Sequence, residues 1–309
     1  MFTQQFRWLV TGGAGFIGSH IVRELVRQGQ QVTVLDNLSS GKLENLESIK
    51  NKIAFIQGDI CDFSSVSAAC QGIDYVLHLA ALSSVAHSMN TPQQTARINV
   101  QGTVNVLEAV RQNRVKRVVF ASSAAVYGTR PELPYKEETP TDCQSPYALS
   151  KLAGEQACQL YTQVYGVETV ILRGFNVFGV GQNPNSAYAA VIAKFMQLAA
   201  ENKPLNIDWD GLQSRDFVSV KDVVQAHLLA ATRGIPGKVY NVASGQTCTL
   251  LELADTIEKV IGRKLARVSR PKRPGDVHES SANISKITAL GYRPTVTLEE
   301  GLREMWQKR

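Results

Sequence analysis

Three side chains of the sequence have the types and spacing for moving a proton to or from an alcohol. Tyr147 and Lys151 lie four residues apart, directly after Ser145 and Pro146, a pair that is typical of a helix start. Residues four apart share one face of a helix, so the lysine ammonium can stabilise the tyrosine phenolate. Ser123 follows a short apolar run. The pattern predicts a general base, its electrostatic support and a hydroxyl that hydrogen-bonds the reacting oxygen.

A glycine-rich turn near the N-terminus has the spacing for binding a dinucleotide. Gly12, Gly15 and Gly18 lie between a predicted strand and a predicted helix. There the first glycine permits the turn, the second admits a pyrophosphate, and the third lets helix and strand pack closely. Asp36 ends the next predicted strand, where a carboxylate accepts hydrogen bonds from a ribose and repels a 2′-phosphate. The pattern predicts NAD rather than NADP, with Asp59 facing the adenine.

These residues depend on a regular alternation of strands and helices. Continuous apolar runs predict strands, and helical periodicity predicts helices between them. The alternation predicts an α/β fold, a doubly wound parallel Rossmann sheet with a smaller C-terminal α/β domain. The predicted strands are 7–11, 31–35, 53–57, 75–79, 118–121 and 169–172, with another near 238–242. The predicted helices are 16–28, 64–70, 92–111, 146–165, 222–231, 250–261 and 298–307.

Composition and charge exclude several other classes of protein. The chain has 309 residues, of which 44% are apolar and 19% charged, and no apolar run approaches the roughly 18 residues of a membrane span. Its start lacks the apolar stretch of a signal peptide. Five cysteines without paired spacing indicate a reducing cytoplasm, with no disulfide framework and no metal site. The net charge of +6 fits anionic ligands, and no DNA-binding module accompanies it.

Six motifs together resemble those of the extended short-chain dehydrogenase/reductases, in particular the UDP-sugar 4-epimerases. They are TGGAGFIGSH at 11–20, LDNLSSGK at 35–42, HLAA at 78–81, SSAAVYG at 122–128, SPYALSK at 145–151 and RDFVSVKDVV at 215–224. The resemblance implies that Ser123, Tyr147 and Lys151 are catalytic and that NAD is tightly bound. It implies that C4 of a UDP-sugar is oxidised to a ketone and then reduced from the opposite face. It also implies a homodimer formed through helices 92–111 and 146–165.

The expected cofactor site includes the residues around the glycine turn and at the strand ends. The residues are Gly12, Gly15, Phe16, Ile17, Gly18, Asp36, Asn37, Ser39, Gly41, Lys42, Asp59, Ile60, Leu79, Ala80, Ala81, Asn99, Tyr147 and Lys151.

The second half of the chain resembles the nucleotide-sugar site of these epimerases. Asn176, Arg215 and Arg273 match residues that contact the diphosphate, and Asp276 matches one that holds the uridine ribose. Arginine suits a diphosphate because its guanidinium group can bond two oxygens at once. The expected substrate-binding residues are Ser83, Ser84, Ser123, Tyr147, Asn176, Ala190, Val191, Arg215, Arg273, Asp276 and Ser280.

A few short side chains discriminate among related reactions and sugars. Ala124 and Ala125 stand where the related dehydratases and decarboxylases carry an acid, so simple epimerisation is favoured. Ser280 stands where glucose-restricted epimerases carry a tyrosine, which leaves room for a 2-acetamido group. Gly174 stands where relatives usually carry an aromatic residue. The absence of that ring should make the wall of the pocket near the nicotinamide looser. The predicted reaction interconverts UDP-N-acetylglucosamine and UDP-N-acetylgalactosamine, with UDP-glucose and UDP-galactose also accepted.

The pattern of strands and helices, which becomes less regular beyond about residue 175, also predicts the domain organisation, and several alternative functions stay open. Residues 1–175 are expected to form the NAD-binding domain, with returns near 219–243. Residues 176–218 and 244–309 are expected to form the nucleotide-sugar-binding domain. The alternatives are an epimerase restricted to UDP-glucose, a UDP-hexuronate 4-epimerase with Arg130 or Lys194 as the cation near C6, and a 4-keto-sugar reductase. A non-catalytic nucleotide sensor is disfavoured, because such proteins typically lose the tyrosine or the lysine.

Overall fold

A seven-stranded parallel sheet forms the centre of the protein. The computed structural model describes residues 4–184, 191–272 and 278–308. The strands are β1 (Arg7–Thr11), β2 (Gln31–Asp36), β3 (Ile53–Gln57), β4 (Tyr75–His78), β5 (Arg117–Ser123), β6 (Glu168–Gly174), β7 (Asn176–Phe178), β8 (Leu205–Asp208), β9 (Ser214–Ser219), β10 (Val239–Val242), β11 (Thr247–Thr249), β12 (Arg267–Arg270) and β13 (Glu279–Ser280). The large sheet has the order β10-β6-β5-β4-β1-β2-β3. Its neighbours are all parallel, which confirms the predicted doubly wound fold.

Helices cover both faces of this sheet. They are α1 (Phe16–Arg27), α2 (Phe63–Ala69), α3 (Val85–Asn90), α4 (Pro92–Ala96), α5 (Gly102–Gln112), α6 (Pro146–Tyr165), α7 (Val191–Ala200), α8 (Val220–Arg233), α9 (Leu250–Ile261), α10 (Ser285–Ala289) and α11 (Leu298–Gln307). Trp8 and Val10 of β1 pack in one apolar cluster with α1 and α8, whereas Leu9 packs in another with α2 and α5. This alternation follows from the pleat of a strand that is buried on both sides.

A second apolar cluster joins elements from the latter part of the chain. It contains Phe195 of α7, Leu253 of α9 and Leu302 of α11, together with Leu205 of β8. Strand β9 pairs with β7, β11 and β13 beside this cluster, and β8 pairs with β12. Helices α9 and α11 both begin with a capping box, in which a threonine and a glutamate satisfy each other's backbone N–H groups.

The predicted helix 92–111 is interrupted. Helix α4 ends at Ala96, a wider π turn spans Arg97–Gln101, and α5 begins at Gly102. The turn contains Asn99, which is 2% exposed and bonds residues outside the helix. Tertiary contacts of one buried amide therefore outweigh regular helical geometry there.

Within the described ranges, no helix combines the length and the apolarity that a membrane crossing needs.

Candidate active site

The glycine turn joins β1 to α1 and leaves no room for side chains. Gly12 has a φ of +71°, and its N–H donates to Leu35 O at 2.8 Å. A methyl group on Gly18 would lie 2.2 Å from Gly12 O. Helix α1 starts at Phe16, and Gly15 before it provides no side-chain cap. The turn therefore presents backbone N–H groups at a helix N-terminus, an arrangement that fits the diphosphate of a dinucleotide.

Asp36 fastens the glycine turn to the loop after β2. Its Oδ2 accepts from Ala14 N at 2.9 Å, and its Oδ1 accepts from Leu38 N at 2.8 Å. Lys42 N–H donates to Ala14 O at 3.0 Å, and a methyl group on Gly41 would lie 3.0 Å from Asp36 Oδ1. A carboxylate has about four lone-pair positions, so Asp36 retains acceptor capacity for ribose hydroxyls.

Asp59 forms the next part of the same edge. Its Oδ2 accepts from Asn37 Nδ2 at 3.1 Å, and its Oδ1 accepts from Cys61 N at 2.8 Å. Burial alone raises the pKa of the Asp59 carboxyl, but these hydrogen bonds outweigh it and hold the pKa below its usual value. Ser39 N–H donates to Asn37 Oδ1 at 3.0 Å. The structure thus brings the three predicted residues Asn37, Ser39 and Asp59 together.

The segment after β4 lies against the glycine turn. Ala80 N–H donates to Thr11 Oγ1 at 3.2 Å, and a methyl group on Gly12 would lie 2.7 Å from Ala80 N. Leu79 and Ala81 beside it are half-buried, as are Phe16 and Ile17 in the first turn of α1. Ile60 is 5% exposed, and its side chain lies where a methyl group on Gly102 would be. The Ile60 side chain therefore contributes to packing against α5.

Ser123, Tyr147 and Lys151 meet above the ends of β5 and β6. Ser145 caps α6 by accepting from Ala148 N at 3.1 Å, which fixes the start of the helix that carries the tyrosine and the lysine. Lys151 Nζ donates to Ala121 O at 2.8 Å and lies 5.9 Å from the centroid of the Tyr147 ring. Tyr147 is 9% exposed and Lys151 4%. The structure therefore brings the three predicted catalytic residues together, with Tyr147 and Lys151 buried and Ser123 half-buried.

Burial sets the protonation of this group. It raises the pKa of the Tyr147 phenol, and a hydrogen bond with the Ser123 side chain opposes that shift. Burial also lowers the pKa of Lys151 to about 8, although Cys158 and Glu155 oppose this shift. Lys151 thus stays mostly cationic at neutral pH. A positive nicotinamide bound beside the phenol would favour its ionised form further.

A buried ion pair lies one helical turn beyond Lys151. Glu155 Oε1 accepts from Arg173 Nε at 2.9 Å, and Glu155 Oε2 accepts from Arg173 Nη2 at 2.7 Å. Ser122 Oγ donates to Glu155 Oε1 at 2.5 Å, and the Arg173 guanidinium lies 4.7 Å from the centroid of the Tyr127 ring. This cluster ties α6 to β5 and β6. Sequence reasoning missed it, although Glu155 lies four residues after Lys151, at the spacing of one helix face.

A buried row of polar side chains runs away from the glycine turn. Thr11 Oγ1 lies 2.7 Å from His78 Nδ1, and His78 Nε2 lies 3.0 Å from Thr103 Oγ1. Thr103 Oγ1 in turn donates to Asn99 O at 2.6 Å. Burial and the charge of Lys151 lower the pKa of His78 to about 3, so its ring is neutral.

Asn99 carries this row on to the catalytic helix. Its Oδ1 accepts from Leu82 N at 2.7 Å, and its Nδ2 donates to Leu82 O at 3.0 Å and to Ser150 Oγ at 2.9 Å. Ser150 Oγ donates to Tyr147 O at 2.7 Å. The Asn99 side chain therefore positions both the loop after β4 and the helix that carries Tyr147. Direct contact of Asn99 with the cofactor stays a prediction.

A cavity of about 310 Å³ lies beside the second apolar cluster. Three predicted substrate residues line it: Asn176, Val191 and Arg215. Arg215 Nη1 donates to Ser214 O at 2.8 Å, and Asn176 Nδ2 donates to Asp216 O at 3.1 Å. Further lining residues that sequence reasoning missed are Lys194, Asn206, Asp208, Gln213 and Cys248.

The remaining predicted substrate residues differ in what surrounds them. Ser280 lies in β13, in register with Arg215 of β9. Ser84 caps α3, because its Oγ accepts from His87 N at 3.0 Å, and Ser83 is exposed beside it. Ala190, Arg273 and Asp276 lie outside the described residues.

The parallel sheet, the glycine turn and the Ser–Tyr–Lys group together define an enzyme that works with a bound dinucleotide. The model of the NAD-dependent epimerase/dehydratase family matches residues 8–243. A putative UDP-glucose 4-epimerase from Methanocaldococcus jannaschii is 39% identical over 304 residues, which are 97% of this chain and 98% of the relative. The chain belongs to the NAD-dependent epimerase/dehydratase family. The resemblance inferred from the sequence motifs is confirmed, and the protein is an NAD-dependent enzyme.

Two solved structures are similar over nearly their whole length. A UDP-N-acetylglucosamine 4-epimerase from Methanobrevibacter ruminantium, in complex with UDP-N-acetylmuramic acid, has a TM-score of 0.95 at 38% identity, covering 99% of this chain and 98% of that one. A Thermus thermophilus UDP-glucose 4-epimerase in complex with NAD has a TM-score of 0.90 at 38% identity, covering 98% of both chains. The cofactor of this protein is NAD, as predicted. The glycine turn, the uncapped start of α1 and Asp36 fit it.

Proposed function

We propose that this protein is a UDP-sugar 4-epimerase. We propose further that it interconverts UDP-N-acetylglucosamine and UDP-N-acetylgalactosamine and also accepts UDP-glucose and UDP-galactose. The observation that carries the proposal is the group of Ser123 with the buried Tyr147 and Lys151, beside a cradle that fits NAD. Ala124 and Ala125 follow the serine, so this segment has no acid for eliminating water. That favours epimerisation over dehydration.

Each residue of the group has a distinct task in the proposed reaction. When bound, NAD supplies the hydride acceptor and later the hydride donor. Tyr147, as the phenolate, takes the proton of the 4-hydroxyl group and returns it after reduction. The Ser123 hydroxyl donates to O4 as negative charge builds there, and Lys151 keeps a positive charge beside the phenolate. The 4-keto sugar turns within the pocket, so reduction from its other face inverts C4.

The cavity beside β9 supplies groups for the UDP part of the substrate. Arg215 and Asn176 offer donors to the diphosphate, and we propose that Arg273 and Asp276 join them. Gln213 also lines the cavity, and its Oε1 is buried without a hydrogen-bond partner. A buried acceptor of this kind is costly unless a ligand satisfies it. Uracil offers the N3–H group that would do so.

Ser280 supports the preference for acetylated sugars. It lies in register with Arg215, so its short side chain borders the segment that we assign to the diphosphate. Ser280→Tyr should depress kcat/KM for the acetylated pair and spare UDP-glucose, whereas Ser280→Ala should change neither. Equal loss on both pairs of sugars would remove Ser280 as the determinant of selectivity.

The function is tested with purified protein and no added cofactor. UDP-glucose, UDP-N-acetylglucosamine and UDP-glucuronate are incubated separately, and the sugars are analysed by chromatography. We expect C4 epimers without net change in absorbance at 340 nm, the usual wavelength of NADH. Tyr147→Phe should lower turnover by about 100-fold or more while bound NAD is retained. A product that accumulates with consumption of added reduced cofactor would instead identify a reductase.

Two observations favour a second candidate substrate. Lys194 of α7 lines the cavity, and the Arg130 Nε is buried without a hydrogen-bond partner. Either cation suits a carboxylate at C6, so UDP-hexuronates are the second candidate. Turnover of UDP-glucuronate above that of both other sugars would establish it.

We also propose that the protein is a homodimer formed through α5 and α6. Leu149, Leu160 and Val164 lie along one side of α6 and are 60%, 53% and 59% exposed. An apolar stripe of this kind is typical of a protein interface. Light scattering after size exclusion should give a dimer, and Leu160→Glu should give a monomer. Leu43→Glu, at another exposed apolar position, should stay dimeric. A monomeric native protein would contradict the proposal.

We propose that the chain is divided into the two domains expected from the sequence and that the protein is located in the cytoplasm. The large sheet, with β10 and α8 returning to it, supports an NAD-binding domain of residues 1–175 with returns near 219–243. The second apolar cluster supports a nucleotide-sugar-binding domain of 176–218 and 244–309. The five free cysteines support the cytoplasm as its location.

A further inference from the structure

Gly174 ends β6 directly beside the proposed catalytic serine. In the sheet register its Cα is paired with the Cα of Ser123. Paired residues of neighbouring parallel strands direct their side chains to the same face of the sheet. A side chain at position 174 would therefore stand next to the Ser123 hydroxyl. Gly174 is only half-buried, so this place is reachable from the site.

Neither the backbone nor the packing requires a glycine at this position. The φ of Gly174 is not in the left-handed region, and a methyl group on it would meet only Val177 Cγ2, at 4.0 Å. Every other glycine that the structure describes either has a positive φ or would bring a methyl group within 3.2 Å of a neighbour. Glycine weakens a strand relative to alanine, because it loses more conformational freedom on folding. A glycine without a structural need indicates that the open space itself is used.

This space lies next to the substrate cavity, with Val177 between them. Val177, which a side chain at position 174 would contact, lines the cavity together with Asn176 and Arg215. On its other side stands Ser123, which in the proposed reaction bonds O4 of the sugar. The open space thus lies alongside the reacting carbon, C4. Because the 4-keto sugar turns between its two faces, a substituent on C3 projects toward this space in one of the two orientations.

We propose that Gly174 is a specificity-determining residue that admits UDP-sugars with a substituent larger than hydroxyl on C3. The inference rests on the proposed function, because it needs O4 to be held by Ser123. An aromatic side chain at position 174 would occupy the space and exclude such a substituent, while a sugar with a free 3-hydroxyl group would still fit.

The test compares two substrates that differ only at C3. They are UDP-N-acetylglucosamine and its 3-O-(1-carboxyethyl) ether. The wild-type protein should bind both and epimerise both, with kcat/KM values within about tenfold of each other. Gly174→Phe should lower kcat/KM for the ether by about 100-fold and for the parent sugar by less than about tenfold. Gly174→Ala, whose methyl group has room, should keep the wild-type ratio.

Several outcomes would overturn the inference. One is a wild-type protein that epimerises the parent sugar but neither binds the ether, as measured by competitive inhibition, nor turns it over. Another is an equal loss on both substrates in a Gly174→Phe protein whose thermal midpoint is unchanged. Should Gly174→Phe fail to fold, Gly174→Val with the same pair of substrates replaces it. A wild-type protein inactive on every UDP-sugar overturns the proposed function, and this inference with it.

Discussion

Replacement of Glu155 by glutamine tests the buried pair that ties the catalytic helix to the sheet. Glu155 and Arg173 have side chains that are only 2% and 6% exposed. The carboxylate accepts two hydrogen bonds from the guanidinium and one from Ser122. A glutamine amide can accept only one of the two guanidinium bonds and leaves the cation without a counter-charge.

The magnitude follows from what Arg173 loses and what it keeps. A hydrogen bond to a charged group contributes about 1.5–3 kcal/mol, and removing one partner of a buried ion pair costs about 3–5 kcal/mol. Arg173 keeps its contact with the Tyr127 ring and a hydrogen bond to Glu137 O at 3.2 Å. We therefore expect Glu155→Gln to lower the free energy of unfolding by about 3 kcal/mol, toward the lower end of that range.

Urea unfolding, followed by circular dichroism, measures this change. The double variant Glu155→Leu/Arg173→Met should be less destabilised than Glu155→Gln, since no unpaired charge remains. Glu299→Gln, at an exposed ion pair with Lys259, should leave the midpoint nearly unchanged. Because the Glu155 charge raises the pKa of Lys151, the alkaline limb of the activity profile should move to lower pH in Glu155→Gln. A loss below about 1 kcal/mol in Glu155→Gln, or a double variant at least as destabilised as Glu155→Gln, would refute the reasoning.

Three further predictions concern the cofactor cradle and the buried histidine. Gly18→Ala should abolish NAD retention, measured on the purified protein, because its methyl group would lie 2.2 Å from Gly12 O; Gly174→Ala serves as the control with room for the methyl group. Asp36→Asn should weaken the binding of NAD and reduce the ratio of the affinities for NAD and NADP, since the charge that repels a 2′-phosphate is gone. Titration of the variant with each cofactor measures both affinities. Burial holds the pKa of His78 at about 3, below the 6.5 of the unfolded chain, so stability should be complete above pH 6.5 and fall as the pH drops toward 3. At pH 5 the expected loss from His78 is about 2 kcal/mol, and His78→Asn should show a smaller acid-induced shift in urea midpoint.

Local sequence patterns were sufficient to predict the bounds of several of the longer helices. The predicted helices 146–165, 250–261 and 298–307 have the bounds of α6, α9 and α11. Each begins with a serine or threonine cap, which local sequence specifies. The strands of the large sheet were found because runs buried on both faces are apolar throughout. Six strands were not predicted: β7, β8, β9, β11, β12 and β13. Of these, β7, β11 and β13 have only two or three residues and owe their conformation to pairing with β9.

The residues of the candidate site also fall into those that local sequence patterns predicted and those that depend on tertiary packing. The residue types and spacing of Ser123, Tyr147 and Lys151 were sufficient to predict the group that the structure brings together. The Glu155–Arg173 pair joins residues 18 positions apart, on a helix and a strand, and only their packing makes them partners. Asn99 was missed as a positioning residue for a similar reason. Its amide reaches Ser150, 51 positions away, through a π turn that no local pattern indicated.

The polar row between the glycine turn and the catalytic helix has a single direction of donation. Thr103 gives its proton to Asn99 O, so it accepts from the Nε2–H of His78, whose Nδ1 then accepts from Thr11. Beyond Asn99, the amide and Ser150 donate onward in the same sense. Hydrogen bonds aligned in this way polarise one another, so the row couples the glycine turn to the backbone carbonyl of Tyr147 at the start of the catalytic helix. A second proton on His78 would make Nδ1 a donor, so the bond to Thr11 would reverse and the donors on the two sides of the ring would point in opposite directions.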